Sequence, residues 1–192
     1  MVMSEEEKKL TAYHEAGHAV VATHCPHSDP IHKATIVPRG RAMGMVMRLP
    51  EGDRHSVAKA KLLDDLRVAM GGRLAEEMIF GPEMVTTGAS SDIKAATDYA
   101  RRMVTEWGMS DRLGMLSYGQ PDQEPFMGQQ MAQAKQLSDE TQHEVDTEVR
   151  RFVDEACQEA REILKANSAE LERLAEALIE YETLTGAEIK TL

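Results

Sequence analysis

His14-Glu15-Ala16-Gly17-His18 is the stretch on which the reading of this chain turns. Residues four apart on a helix share a face, so His14 and His18 aim two imidazoles at one point. With a glutamate following the first histidine, the pattern is H-E-x-x-H, the signature of a helical zinc peptidase. Two histidines would hold the metal, an open position would take water, and Glu15 would stand beside that water as general base. Without a metal, the same residues would be core histidines with ordinary hydrogen-bond partners.

The motif requires a helix, and the flanking residues supply one. Ser4 followed by Glu7 is a capping-box pattern, and Glu5, Glu6 and Glu7 favour the positive end of the helix dipole. Leu10, Tyr13, Gly17, Val20, Val21 and His24 recur at helical spacing, so the two histidines border an apolar face. Gly17 costs about 1 kcal/mol relative to alanine inside a helix, which points to close approach of another backbone.

Beyond this helix, Ala34–Val37 and Gly44–Leu49 read as two short strands of a small antiparallel sheet. The second alternates with period two and stops at Pro50. Helical periodicity returns over Val57–Phe80, through Leu62, Leu63, Leu66, Met70, Leu74 and Met78, and Gly81-Pro82 ends it. Ser91 is placed to cap a helix with Ile93, Ala96, Ala100, Met103, Val104 and Trp107 on one face. A long helix, Thr141–Lys165, follows Ser138, and a last helical stretch carries Leu171, Leu174, Leu178 and Ile179. The expected fold is mainly α with a small antiparallel β-sheet, a helical zinc metallopeptidase domain over 1–192. Within it, 1–110 forms the catalytic core, 111–137 a mobile segment rich in Gly, Pro and Gln, and 138–192 the C-terminal helices.

Composition narrows the function. A net charge of −11 argues against a nucleic-acid footprint. Two cysteines, Cys25 and Cys157, make no disulfide framework and suit a reducing compartment. No apolar run reaches the length of a membrane span, and no phosphate-binding loop of the G-x-x-x-x-G-K-[ST] type is present. By itself this chain is expected neither to hydrolyse ATP nor to cross a membrane. The 13 methionines suit adaptable packing and binding surfaces.

A catalytic zinc takes three protein ligands, and three residues compete for the third place. His24 has the spacing of H-E-x-x-H-x-x-G-x-x-H, but Val21 stands where that motif needs a turning glycine. A straight helix carries His24 more than a turn past His18, out of reach. Glu76, on the helix Val57–Phe80, would be the carboxylate of a thermolysin-like site, or would hold the outer nitrogen of a ligating histidine. Asp92 sits in a first helical turn, where the dipole favours its ionised form. The residues alone leave Glu76 and Asp92 both open.

Several segments in order carry a family resemblance: Thr35-Ile36-Val37-Pro38-Arg39-Gly40, Gly71-Gly72-Arg73-Leu74-Ala75-Glu76-Glu77, Thr86-Thr87-Gly88-Ala89-Ser90-Ser91-Asp92, Met103-Val104-Thr105-Glu106-Trp107-Gly108-Met109-Ser110, and Tyr181-Glu182-Thr183-Leu184. With the histidine motif, they resemble the protease domain of the FtsH family, membrane-anchored ATP-dependent zinc metalloproteases. Many relatives carry Asn in place of Ser91, and the strand at Met45–Leu49 is richer in methionine here.

The resemblance implies one zinc ion held by His14, His18 and Asp92, with Glu15 as base and Glu76 supporting a ligating histidine. It also implies a homo-hexamer that degrades unfolded polypeptides, with an ATPase module and membrane anchor preceding residue 1 in full-length relatives. The active site would face the cytoplasmic side of the bacterial inner membrane, and this C-terminal portion would be soluble. The strand Gly44–Leu49, with Gly44, Met45, Val46 and Met47, offers an edge for an extended substrate. The competing reading is a non-catalytic ring-assembly module with a structural metal, in which Glu15 would have no task.

Overall fold

The computed structural model describes residues 3–118 and 137–192. Most of the 111–137 segment, residues 119–136, lies outside the described residues. Helix α1, Glu5–Thr23, begins at Ser4 with the full capping box: the Ser4 side chain accepts from the Glu7 amide, and the Glu7 side chain accepts from Ser4. From Thr11 to Ala22 every residue of α1 is buried. The helix is therefore enclosed on all sides, more deeply than a one-faced amphipathic pattern implies.

Its principal neighbours are α2, Lys59–Phe80, and α5, Ser168–Tyr181. The long helix α4, Asp139–Ala166, is capped by Ser138 and covers the other side of α2. Helix α3, Ser90–Thr105, packs into the angle between α2 and α4. Leu66, Met103, Phe152, Leu164, Leu171 and Leu178 are the large side chains of one continuous core. Burying each contributes about 1.5–3 kcal/mol.

Helices α1 and α2 cross in backbone contact. A Cβ on Gly17 would lie 2.3 Å from the Gly71 carbonyl oxygen, and one on Gly71 would lie 2.6 Å from the Gly17 oxygen. The mid-helix Gly17 therefore has the packing reason expected of it. This crossing sets the histidines of α1 against the middle of α2.

The sheet has three strands in the order β2-β1-β3. Strand β1, Ile31–Thr35, pairs antiparallel with β2, Met45–Arg48, with Ala34 opposite Val46 and Thr35 opposite Met45. Strand β3, Thr183–Thr185, adds on the other side of β1 and leads into the short α6, Gly186–Thr191. The antiparallel pair was expected, but β1 begins and ends earlier than Ala34–Val37. The Val37 amide bonds back to the Thr35 hydroxyl and the Ile36 amide to Glu182, which ends the ladder with β2 at Thr35. Strand β3 had no signal in periodicity, being three residues long.

Two further expectations are corrected. Ser91 does not cap α3. The chain enters through a 3-10 turn at Thr87–Ala89 whose hydrogen bonding continues into the helix, with the Ser90 amide on the Thr87 carbonyl, so no side-chain cap is needed. Ile93 and Trp107, placed on one face of that helix with Ala96, Ala100, Met103 and Val104, are 39% and 38% exposed while those four are buried, and α3 ends before Trp107.

Candidate metal centre

His14 and His18 project from the middle of α1 toward α2, and Asp92 reaches the same point from the first turn of α3. The two Nε2 atoms are 3.1 Å apart. Asp92 Oδ2 lies 3.3 Å from His14 Nε2 and 3.4 Å from His18 Nε2. Three donors bonded to a tetrahedral zinc at about 2.0–2.1 Å stand about 3.3–3.4 Å from one another. The observed triangle has that size.

The outer nitrogens fix the direction of the inner ones. His14 Nδ1 donates to Glu76 Oε1 at 2.7 Å, and His18 Nδ1 donates to the Val68 carbonyl at 2.7 Å. Both partners can only accept, so both Nδ1 atoms carry protons and the Nε2 lone pairs face inward. Two Nε2 atoms, each able to give a lone pair once His14 sheds its extra proton, converge with a carboxylate oxygen on one point, a donor set suited to a cation.

The charge balance agrees. Burial disfavours a charged His14, but hydrogen bonds to Asp92 and Glu76 outweigh it and raise its pKa to about 9. Burial opposes ionisation of Asp92, yet the two histidines hold its carboxyl well below the usual carboxylate range. Glu76 is likewise desolvated but is kept ionised by His14 and by the Thr86 amide, which donates to Oε2 at 2.8 Å. The pocket favours positive charge, and a bound metal would take the place of the His14 proton.

Space for the ion comes from Gly72. A Cβ there would lie 2.5 Å from His14 Nε2 and 2.6 Å from His18 Nε2. The second glycine of the Gly71-Gly72 pair thus leaves open the cradle that any side chain would fill. Two consecutive mid-helix glycines, each costing about 1 kcal/mol against alanine, were a legible signal of this. The Val68 carbonyl and the Thr86 amide are backbone groups and left no mark on the sequence.

Glu15 is buried beside the histidines, and desolvation raises its pKa, with His18 and His14 pulling the other way. Gly44 lies against it: a Cβ on Gly44 would be 2.8 Å from Glu15 Cγ and 2.9 Å from Oε1. Gly44 immediately precedes β2, whose outer side is a sheet edge. Gly44, Met45, Val46 and Met47 therefore run from the glutamate out along that edge. His24 is not part of the cluster; its Nε2 bonds Glu170 on α5 at 2.7 Å. Glu77, next to Glu76, faces outward to Arg161.

A model of peptidase family M41 matches residues 1–192. The chain belongs to peptidase family M41. It is 58% identical over 189 residues, 98% of its length, to an ATP-dependent zinc metalloprotease FtsH of Caulobacter vibrioides. It is 53% identical over 192 residues to a protein of that name from Rickettsia bellii, and 49% identical over 192 residues to one from Haemophilus influenzae, all of this chain in each case. It spans about 30% of the length of these relatives. As an M41 chain it falls in a class for which a zinc ion and peptide-bond hydrolysis are in keeping with the converging donor set. No helix among the described residues is long and apolar enough to cross a membrane.

Proposed function

We propose that this chain is the zinc endopeptidase portion of an ATP-dependent, membrane-anchored protease that degrades unfolded or misassembled proteins as a homo-hexamer. The observation that carries the catalytic part is the triangle of His14 Nε2, His18 Nε2 and Asp92 Oδ2, with edges of 3.1, 3.3 and 3.4 Å. The relatives' name supports ATP-dependence and zinc. The hexamer, the anchor and a site facing the cytoplasmic side of the inner membrane rest on the family resemblance.

His14, His18 and Asp92 would hold the metal, with Glu76 and the Val68 carbonyl keeping both imidazoles in the right tautomer. A zinc ion held there would supply a Lewis acid to polarise the scissile carbonyl and would make water acidic near neutral pH. Glu15 accepts the water proton on its carboxylate and delivers it to the departing amine nitrogen. Its burial raises its basicity toward the range a general base needs. An extended substrate adds to β2, the edge strand among the described residues, with its backbone brought alongside Glu15 by Gly44. Backbone pairing reads shape more than side chains, which suits a protease that accepts many sequences.

The test is Glu15→Gln. The variant should keep one zinc per chain and the wild-type melting temperature while losing cleavage of an unfolded protein such as casein. Retained turnover would remove Glu15 from the base role. A wild-type chain that binds one zinc yet cleaves neither casein nor short unfolded peptides would instead support the ring-assembly reading.

A further inference from the structure

We infer that Arg73 is a positioning residue for Asp92, acting through Thr86; the inference rests on the zinc reading of the site. Arg73 and Glu76 stand three residues apart on α2, so they share a face. Arg73 Nη2 donates to the Thr86 carbonyl at 2.8 Å, and Glu76 Oε2 accepts from the Thr86 amide at 2.8 Å. One helical turn thus holds both backbone polar groups of Thr86.

Thr86 in turn sets the path of the chain toward α3. Its hydroxyl accepts from the Gly88 amide at 3.2 Å and opens the 3-10 turn Thr87–Ala89. That turn runs into α3, whose third residue is Asp92. A continuous hydrogen-bonded backbone therefore connects the grip on Thr86 to the carboxylate six residues later. Glu76 uses its other oxygen on His14. The same turn of α2 sets the histidine from α1 against the aspartate from α3.

Asp92 is the ligand that needs holding. Its side chain is 27% exposed, against 11% for His14 and 10% for His18. It stands at the end of a helix with no side-chain cap, whereas the histidines stand mid-helix.

Arg73 is an expensive residue for mere packing. Among the described residues its Nε is buried without a partner, a condition that costs about 1–3 kcal/mol. Among the described residues its guanidinium has no carboxylate partner and its polar contact is the Thr86 carbonyl. Methionine would fill the same length at lower cost. The guanidinium is explained by its hold on the Thr86 loop.

The experiment is zinc affinity by chelator competition on wild type, Arg73→Met, Asp92→Ala and the double variant, with zinc-free melting curves for each. Removing an outer partner of a metal ligand weakens metal binding by about 10–100-fold, and Arg73, one step further out, should fall near the tenfold end. In the Asp92→Ala background Arg73→Met should change nothing more, because its effect passes through Asp92. Unchanged affinity in Arg73→Met, or an equal loss in the Asp92→Ala background, would overturn the inference. If Arg73→Met does not fold, Arg73→Gln, whose shorter side chain ends before the Thr86 carbonyl, takes its place in the comparison, and the same outcomes decide. Failure of wild type to bind one zinc would instead overturn the reading of the site itself.

Discussion

Gly72→Ala puts a single methyl group into the space between the histidines. The added carbon would sit 2.5 Å from His14 Nε2 and 2.6 Å from His14 Cε1 and His18 Nε2, where ordinary contact begins at 3.4 Å. The overlap is about 0.8–0.9 Å on two rings at once. Neither ring can swing away cheaply, because Glu76 and the Val68 carbonyl hold their outer nitrogens at 2.7 Å. Nor can α2 retreat without breaking those same bonds. The methyl therefore takes the place of the metal. A ligand present at about 1,000 times its Kd stabilises a fold by about 4 kcal/mol. For a chain of this size that corresponds to a rise in Tm of roughly 8–16 °C. Wild type should show such a rise when zinc replaces chelator, and Gly72→Ala should show almost none. The overlap costs the zinc-free fold about 1–3 kcal/mol, of which alanine's helix propensity returns about 1 kcal/mol, so the zinc-loaded Tm, which also loses the metal's contribution, should fall further than the zinc-free one. Melting curves with zinc and with chelator, together with metal analysis, read both quantities. A Gly72→Ala protein that keeps one zinc per chain and the full zinc-dependent rise would refute the cradle.

Gly17→Ala should drive α1 and α2 apart, since its Cβ would lie 2.3 Å from the Gly71 oxygen. Overpacking of this kind costs about 1–3 kcal/mol, and a zinc-free Tm equal to wild type would contradict the backbone contact. Gly44→Ala presses on Glu15 Cγ and Oε1. It should lower kcat about tenfold or more with zinc content unchanged, because displacing a proton-transfer group matters more than removing area; an unchanged kcat would separate Gly44 from the base. Glu148 is buried, and Arg151, with help from Ser110, lowers its pKa below the ordinary 4.5. Its folded value lies below its unfolded one, so it adds stability above about pH 4.5 that is lost as the pH falls through the folded value. Tm should therefore fall less steeply below about pH 5 in Glu148→Gln than in wild type, and equal slopes would count against the pair.

Sequence was most informative where the physics is local. Ser4 and Glu7 satisfy each other within one helical turn, so the start of α1 was legible. The α1 motif and the carboxylates Glu76 and Asp92 could be named, but not ranked by spacing. Asp92 comes within 3.4 Å of both histidines only because α2 and α3 are packed together by tertiary contacts. Glu76 touches only the outer nitrogen of His14 for the same reason. What the sequence hid is mostly backbone: the Val68 carbonyl, the Thr86 amide and the short strand β3 depend on where distant segments meet, not on residue type. The Ser91 cap failed because a preceding 3-10 turn already supplied the hydrogen bonds a cap would have made.

Everything proposed for the site depends on His14, His18 and Asp92 being the three protein ligands of one zinc. Anomalous diffraction at the zinc edge from crystals of the zinc-loaded protein tests this without an intermediary. One strong peak per chain is expected at about 2.0–2.2 Å from His14 Nε2, His18 Nε2 and a carboxylate oxygen of Asp92, with Glu76 still on His14 Nδ1. A peak bonded to Glu76 with Asp92 turned away, or one centred on His24 and His27, would contradict it.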